Sequence, residues 1–251
     1  MKDYQLVINS NKEIAHKVFR AKLECQEKLP QFIGGQFLHL QLPNRILRRP
    51  LGILKINENC VEIVYAVVGE GTLELSQLKN GTPLKAMLPL GNGFILPNGY
   101  KKVALLGGGL GSVPLLPVIK TYKDIEFYAY MGFRSKDNVI LYDDFKSSAY
   151  RTVYATEDGS FGEKGYALSA LQNDMKDIRF DAVLVCGPTP MVKAVKNADL
   201  NVPVFVSLEE RMGCGVGACL VCTCKIKKGE QIENLRVCAD GPVFKLDEVV
   251  L

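Results

Sequence analysis

The chain has 251 residues, of which 47% are hydrophobic and 23% are charged, and its formal net charge is +4. These values suit a globular protein long enough for two domains and a small additional segment. The lysines and arginines are scattered, which argues against nucleic acid as a partner. No apolar run approaches the ~20 residues of a membrane span. No apolar signal core follows the N-terminal charge, so we expect a cytoplasmic protein without a membrane partner.

Residues 1–97 have the pattern of short β-strands. The predicted strands are rich in Val, Ile, Phe and Tyr and are Tyr4–Ile8, Val18–Glu24, Gln36–Leu42 and Val61–Val68. Turns containing glycine, proline and asparagine separate them, and we expect one helix over Leu73–Leu78. Short strands with few helices predict a small closed barrel.

Residues 98–207 have a different pattern, in which buried strands alternate with helices. The predicted strands are Lys102–Leu106, Ile125–Met131, Thr152–Ala155, Asp181–Cys186 and Val204–Leu208. The predicted helices are Val113–Tyr122, Asn138–Phe145, Tyr166–Gln172 and Pro190–Lys196. This alternation predicts an α/β domain built on a doubly wound parallel sheet.

Two strand-to-helix turns of this sheet are candidates for nucleotide binding. The first is Gly-Gly-Gly-Leu-Gly-Ser, whose amides and following helix can receive a pyrophosphate. Ser112 stands where G-x-G-x-x-G would have its third glycine, so a purely structural glycine turn is the alternative. The second turn begins at Cys186, whose thiol is either near a nicotinamide or a packing group.

Residues 208–251 contain a run of cysteines with a diagnostic spacing. Three are spaced C-x4-C-x2-C and a fourth follows sixteen positions later: Cys214, Cys219, Cys222 and Cys238. This is the plant-type spacing for a [2Fe–2S] cluster. Structural zinc held by a subset of these thiols and the spare Cys224 is the alternative. A disulfide knot is expected only in an exported chain.

The barrel also contains a candidate diphosphate site. Arg48 and Arg49 precede Pro-Leu-Gly, and a Gly-Glu-Gly-Thr turn opens the predicted helix. A guanidinium together with a helix N-terminus suits a bound diphosphate. From the residues alone, a surface arginine and an ordinary turn would give the same pattern.

Taken together, these segments resemble the ferredoxin-reductase superfamily and, within it, the electron-transfer subunits of NAD-dependent (class 1B) dihydroorotate dehydrogenase. The matching motifs are C-G-x-G-A-C-x-x-C, V-C-x-D-G-P-V-F, G-G-G-x-G and C-G-P-x-P-M. The resemblance covers nearly the whole chain. It implies an FAD-binding Greek-key β-barrel over residues 1–97, an NAD-binding α/β domain over 98–207 and a small C-terminal [2Fe–2S] segment over 208–251.

The resemblance also implies which residues bind each cofactor. Those implied for FAD are Arg49, Pro50, Leu51, Gly52, Val64, Tyr65, Ala66, Gly71 and Thr72. Those implied for NAD are Gly107, Gly108, Gly109, Gly111, Ser112, Cys186, Gly187 and Pro188. The implied cluster ligands are Cys214, Cys219, Cys222 and Cys238. Two positions depart from the family, because it usually has Ser or Thr at position 52 and often arginine near position 66.

The implied function is that of an oxidoreductase subunit in de novo pyrimidine (UMP) biosynthesis. An FMN-containing catalytic partner oxidises dihydroorotate, and electrons pass through the cluster and FAD to NAD+, with two copies of each subunit. No residue here is expected to be catalytic toward dihydroorotate, and His16 and His39 are expected to be structural residues in barrel strands. The alternatives are a reductase subunit serving ferredoxin, sulfur compounds or hydrogenase, and a zinc-stapled nucleotide-binding module.

The residues alone do not decide between NAD and NADP. No acidic residue stands at the usual end of the second strand, and Arg134 with Ser135 would suit a 2′-phosphate. Only the family resemblance points to NAD.

Overall fold

The computed structural model describes residues 2–251, and the first part of the chain forms a closed antiparallel barrel. Its strands are β1 (Asp3–Ala15), β2 (Val18–Cys25), β3 (Phe37–Gln41), β4 (Arg49–Asn57), β5 (Cys60–Ala66) and β6 (Pro83–Leu90). They are hydrogen-bonded in the order β1-β2-β5-β4-β3-β6, a Greek-key arrangement. Helix α1 (Glu70–Gln77) lies between β5 and β6. The barrel prediction is confirmed, and the helix begins three residues earlier than expected.

Strand β3 shows how the barrel is covered on both faces. Leu38 and Leu40 point into the barrel core, as strand alternation requires. Their neighbours Phe37 and His39 therefore face outward, yet they are also buried. Phe37 belongs to a second apolar cluster that includes Cys222 and Cys238. The cysteine segment thus packs against the outer wall of the barrel.

The second part of the chain forms an α/β sheet. Its strands are β7 (Lys102–Gly108), β8 (Glu126–Phe133), β9 (Arg151–Thr156), β10 (Glu163–Lys164), β11 (Ala182–Cys186) and β12 (Val204–Ser207). Its helices are α2 (Ser112–Thr121), α3 (Tyr142–Ser148), α4 (Ala167–Asp174) and α5 (Thr189–Asn197). The strand order is β10-β9-β8-β7-β11-β12, with parallel neighbours throughout. The predicted parallel sheet is confirmed.

The cysteine segment contributes three more strands, which the sequence analysis missed. Strands β13 (Thr223–Lys228) and β14 (Gln231–Arg236) form a two-stranded antiparallel sheet. Strand β15 (Val243–Lys245) pairs antiparallel with β12 at the edge of the parallel sheet. The segment after residue 208 is therefore attached to the sheet as well as to the barrel, and the three domain boundaries stay predictions.

Two close contacts fix the barrel against the rest of the chain. A Cβ atom at Gly34 would come within 2.6 Å of the backbone nitrogen of Val118, so α2 lies directly on the barrel loop. The side chain of Asn92, just after β6, accepts from the amide of Val243 at 3.0 Å and donates to its carbonyl at 2.9 Å. Within residues 2–251, no helix has the length and apolar character needed to cross a bilayer.

Candidate functional site

The four predicted cluster ligands come together at the barrel wall. Three lie in the loop between β12 and β13, and Cys238 lies in the turn after β14. Three amides of the loop, those of Val216, Ala218 and Cys219, point at Sγ of Cys214 at 3.3 to 3.4 Å. The amide of Gly217 reaches Sγ of Cys238 at 3.1 Å.

The remaining sulfurs also receive backbone donors. The amide of Cys214 reaches Sγ of Cys219, and the amide of Cys238 reaches Sγ of Cys222, each at 3.4 Å. Gly215 and Gly217 have φ angles of 71° and 82°, which let the backbone turn its amides toward the sulfurs. Donors aimed at sulfur stabilise thiolates and set the reduction potential of a cluster bound to them.

The environments of the four thiols differ. Backbone donors, first that of Val216, lower the pKa of Cys214 to about 6, which favours the thiolate that binds metal. Burial raises the pKa of Cys238 to about 12. Cys222 and Cys238 are buried, whereas Cys219 is exposed. The loop therefore has one face toward the protein interior and one edge at the surface.

This donor set fits a [2Fe–2S] cluster, because it offers four thiols whose sulfurs receive hydrogen bonds from six backbone N–H groups. In residues 2–251, no group of three or more His, Cys, Asp or Glu side chains is arranged to hold a single metal ion. Cys224 lies on β13 in a separate cleft beside Glu210, and burial raises its pKa to about 11.

Two residues that the sequence analysis missed hold the cluster loop. Arg236 makes a two-pronged ion pair with Asp240, with both N···O distances at 2.8 Å, and also donates to the carbonyl of Gly217 at 3.1 Å. Asn92 binds the chain at Val243, as described above. The only sequence feature that could have predicted a role for Arg236 is its position two residues before Cys238. No local sequence feature predicts the role of Asn92.

His39 lies beneath the same loop. A Cβ atom at Gly215 would come within 2.4 Å of its Nδ1 atom. The ring is fully buried, and neither Nδ1 nor Nε2 has a hydrogen-bond partner within the described chain. Burial, and then the charge of Arg48, lowers the pKa of His39, while backbone groups of Cys214 and Arg48 raise it. His16, also expected in a strand, lies instead in the exposed turn between β1 and β2.

The segments implied for flavin lie on two edges of an opening in the barrel wall. Strands β4 and β5 are paired from Ile53 and Ile63 onward. Residues 49–52 pair only with β3 and residues 64–66 only with β2. Backbone groups on the facing edges are thus left unpaired by the sheet, which suits the edge of a flat polar ring.

The two arginines of the barrel motif have different partners. Arg48 forms an ion pair with Asp3, with N···O distances of 2.5 and 2.8 Å. Arg49 has no carboxylate partner among the described residues, and its guanidinium lies against α1, because a Cβ atom at Gly71 would be 2.2 Å from its Nε. Thr72 Oγ1 accepts from the amides of Val68 and Gly69 at 2.9 and 3.2 Å, which fixes the turn. Arg49, rather than Arg48, is available to a diphosphate.

The other barrel positions offer less to a ligand. The Tyr65 ring is in the barrel core and its hydroxyl donates to Asn11 at 3.0 Å, so only its backbone is available. A Cβ atom at Gly52 would have no neighbour within 4 Å. The missing hydroxyl at position 52 therefore leaves open space beside the opening.

Some of the predicted nucleotide residues line a cleft of about 710 Å³ at the carboxyl ends of β7, β8 and β9, whereas Gly107, Gly111, Ser112, Cys186 and Gly187 lie behind its lining. This is the edge of an open parallel sheet at which ligands bind. The cleft includes Gly108, Gly109 and Pro188 of the predicted set, together with Arg134 and Glu157. Glu157 directly follows β9 and was missed, because the sequence analysis considered only the end of the preceding strand.

The two nucleotide turns are in direct contact with each other. A Cβ atom at Gly111 would lie 2.0 Å from the carbonyl oxygen of Cys186, so only glycine allows this approach. Ser112 is fully buried and its hydroxyl donates to the carbonyl of Gly109 at 2.8 Å, which closes the glycine turn. Cys186 is buried, and burial raises its pKa far above the usual range. This thiol is protonated at neutral pH.

Comparison with known proteins gives the same cofactor set. Residues 209–250 match the family described as the iron–sulfur cluster binding domain of dihydroorotate dehydrogenase B. The electron transfer subunit of dihydroorotate dehydrogenase B (NAD(+)) from Streptococcus mutans is 41% identical over 98% of this chain and 97% of its own length. The corresponding subunit from Clostridium perfringens is 38% identical over 96% of each chain.

Solved structures also share the architecture. The NADH-dependent reduced ferredoxin-NADP oxidoreductase, a structure described for flavin-based electron bifurcation, has a TM-score of 0.87 and 32% identity over 98% of this chain and 89% of that chain. Phthalate dioxygenase reductase has a TM-score of 0.68 over 94% of this chain and 77% of that chain, and its 17% identity shows the fold alone. By the extent and identity of the full-length matches, this chain belongs to the family of electron transfer subunits of NAD+-dependent dihydroorotate dehydrogenase B.

Proposed function

We propose that this chain carries electrons to NAD+ from a catalytic partner subunit that oxidises dihydroorotate. This transfer is a step in de novo pyrimidine biosynthesis in the cytoplasm. The observation that carries the proposal is the convergence of six backbone amides on the four cysteine sulfurs, inside a segment that matches the iron–sulfur domain. When bound, FAD exchanges electrons singly or in pairs, whereas a [2Fe–2S] cluster exchanges one electron at a time. The flavin and the cluster together therefore link a one-electron source to a hydride acceptor.

The residues of the chain supply three sites for these groups. Cys214, Cys219, Cys222 and Cys238 hold the cluster. Arg49, Gly71 and Thr72 would hold the diphosphate of FAD, and backbone groups of residues 50–52 and 64–66 would hold the flavin ring. The nucleotide would be held at the cleft that Gly108, Gly109 and Pro188 line, with the rest of residues 107–112 and 186–188 shaping the two turns behind it.

The exposed edge of the cluster loop is the surface that we assign to the catalytic partner. Cys219 is exposed there, and its neighbours Leu220 and Val221 are 63% and 56% exposed. Large apolar side chains beside an exposed ligand suit a protein interface better than water. We propose that the partner carries FMN and that the complex contains two copies of each subunit.

We assign NAD rather than NADP as the nucleotide, and Glu157 supports this choice. Its carboxylate lies in the same cleft as Arg134, where it would oppose a 2′-phosphate and accept a hydrogen bond from a 2′-hydroxyl. Glu157→Gln should reduce the preference for NADH over NADPH, measured as the ratio of kcat/KM values with an artificial acceptor. An unchanged ratio would contradict this role.

The test of the function is a visible absorption spectrum of anaerobically purified protein, with iron, sulfide and zinc assayed on the same sample. We expect flavin bands over a broad iron–sulfur background, with about two irons and two sulfides per chain. The isolated chain should oxidise NADH with an artificial acceptor, and dihydroorotate only after the partner is added. Zinc without iron, or dihydroorotate turnover by the isolated chain, would refute the proposal.

A further inference from the structure

His39 lies between the cluster loop and the flavin strand. On one side the ring contacts Gly215, next to the first cluster ligand. On the other side, His39 pairs across the sheet with Pro50, the second residue of the flavin segment. The carbonyl of His39 is also 3.5 Å from the guanidinium of Arg48. One residue therefore touches the elements that carry both redox sites.

The ring of His39 has hydrogen-bonding capacity that the described chain does not use. It is 0% exposed, and both nitrogens lack a partner. A buried polar atom without a partner destabilises a protein and is rare. A neutral imidazole has one N–H donor and one acceptor. The carbonyl of Cys214 belongs to the peptide that joins Cys214 to Gly215, the residue that Nδ1 of the ring faces, so it is the backbone acceptor next to this contact.

We propose that His39 is a positioning residue, whose ring donates to the backbone of Cys214 in the loaded protein and thereby fixes the first cluster ligand against the flavin strand. Hydrogen bonds at functional sites are often long in unloaded proteins and shorten when the ligand is bound. Gly215 is the residue that lets the ring approach, since any side chain there would overlap the imidazole. The inference rests on the proposed function, because it requires that the loop carries a cluster and the barrel a flavin.

The experiment compares His39→Leu with His39→Asn. The two side chains have the same branched shape, and only asparagine offers a donor near the position of Nδ1. His16→Leu is the matched control, because it removes the other histidine from an exposed turn. Each variant is purified with its cofactors. The reduced cluster is examined by electron paramagnetic resonance and redox titration, and NADH-driven reduction of flavin and cluster is followed separately by stopped flow.

We expect His39→Leu to shift the resonance spectrum and the cluster midpoint potential. Cluster reduction should slow by about tenfold, the lower end of the 10- to 100-fold effects of outer-shell substitutions. Flavin reduction by NADH should be unchanged, because the nucleotide cleft is elsewhere. His39→Asn should be closer to the wild type in each measurement, and His16→Leu should equal it.

Amide hydrogen exchange supplies a readout that does not depend on turnover. The amides of residues 215–219 should exchange faster in His39→Leu than in His39→Asn. If His39→Leu loses the cluster, retention by His39→Asn supports the inference and loss by both overturns it. Equal spectra, potentials and rates in His39→Leu and the wild type, or equal changes in both variants, also overturn it. A wild-type protein that holds neither flavin nor cluster would refute the proposed function itself.

Discussion

The contact between Gly111 and Cys186 allows a sharp test of the nucleotide site. Gly111→Ala places a Cβ atom 2.0 Å from the Cys186 carbonyl oxygen and 2.7 Å from the Gly187 nitrogen. Ordinary contact begins at 3.4 Å, so the difference, 3.4 − 2.0 = 1.4 Å, must be met by moving one turn away from the other. Both neighbours are backbone atoms, which cannot rotate aside as a side chain would.

Overpacking of this kind destabilises a protein by about 1–3 kcal/mol. At this chain length each kcal/mol lowers Tm by roughly 2–4 °C. Moving the turns apart also displaces the amides of the glycine turn. The loss of one charge-assisted hydrogen bond costs about 1.5–3 kcal/mol, so NADH should bind at least about tenfold more weakly. Thermal unfolding of the apoprotein and NADH titration measure the two effects.

Gly52→Ala is the matched control, because the same methyl group meets nothing within 4 Å there. Its apoprotein Tm and NADH affinity should be those of the wild type. If Gly111→Ala had the same Tm and the same NADH affinity as this control, the close approach of the two turns would be wrong, and with it the composition of the nucleotide cleft.

Three further predictions concern single side chains. Arg49→Gln should weaken FAD binding by roughly tenfold to a hundredfold, as expected for one lost charge-assisted hydrogen bond. Arg48→Gln, which removes the pair with Asp3 and the long contact with the His39 carbonyl, should weaken it less. Equal effects in an FAD titration would contradict the assignment. Arg236→Gln should accelerate iron release to a chelator by about 10- to 100-fold. Lys228→Gln, which breaks the exposed pair with Glu233, should leave the release rate unchanged. Equal release rates in the two variants would show that the Arg236 pair does not hold the loop. The amides of Lys102 and Lys101 donate to the Asp181 carboxylate and lower its pKa below the usual range, so its stabilising effect is present above the usual pKa of an aspartate and is lost as the pH falls. Asp181→Asn should make Tm less dependent on pH between about pH 6 and about pH 3; an unchanged slope would exclude this contribution.

The cysteine spacing and the strand-to-helix turns were visible in the sequence because each is a local pattern. Four thiols at fixed intervals, or a glycine turn between an apolar run and a helix, need no information from elsewhere in the chain. Strand β6 also has a local pattern, since every second residue is buried, namely Leu84, Ala86, Leu88 and Leu90. Pro83 and Pro89 within this strand are turn signals by themselves, and they obscure the alternation in the sequence.

The residues that hold the sites were not predictable in the same way. Asn92 contacts Val243 across 151 positions of sequence, and His39 contacts Gly215 across a similar separation. Neither position has a motif, and a single histidine in a barrel strand predicts a structural residue. Strand β15 is three residues long and depends on β12 for its hydrogen bonds. Such contacts arise only from the tertiary arrangement.

The attachments of the C-terminal segment explain why the cluster is held at the barrel wall rather than on a flexible tail. Asn92 ties the segment to the end of β6, β15 ties it to the parallel sheet, and Cys222 and Cys238 pack in one apolar cluster with Phe37 and Leu90 of the barrel. The C-terminal segment is therefore attached to both the barrel and the parallel sheet. The same packing that buries Cys222 and Cys238 therefore holds the cysteine segment against the barrel, so that the candidate cluster site and the candidate flavin site share one apolar core.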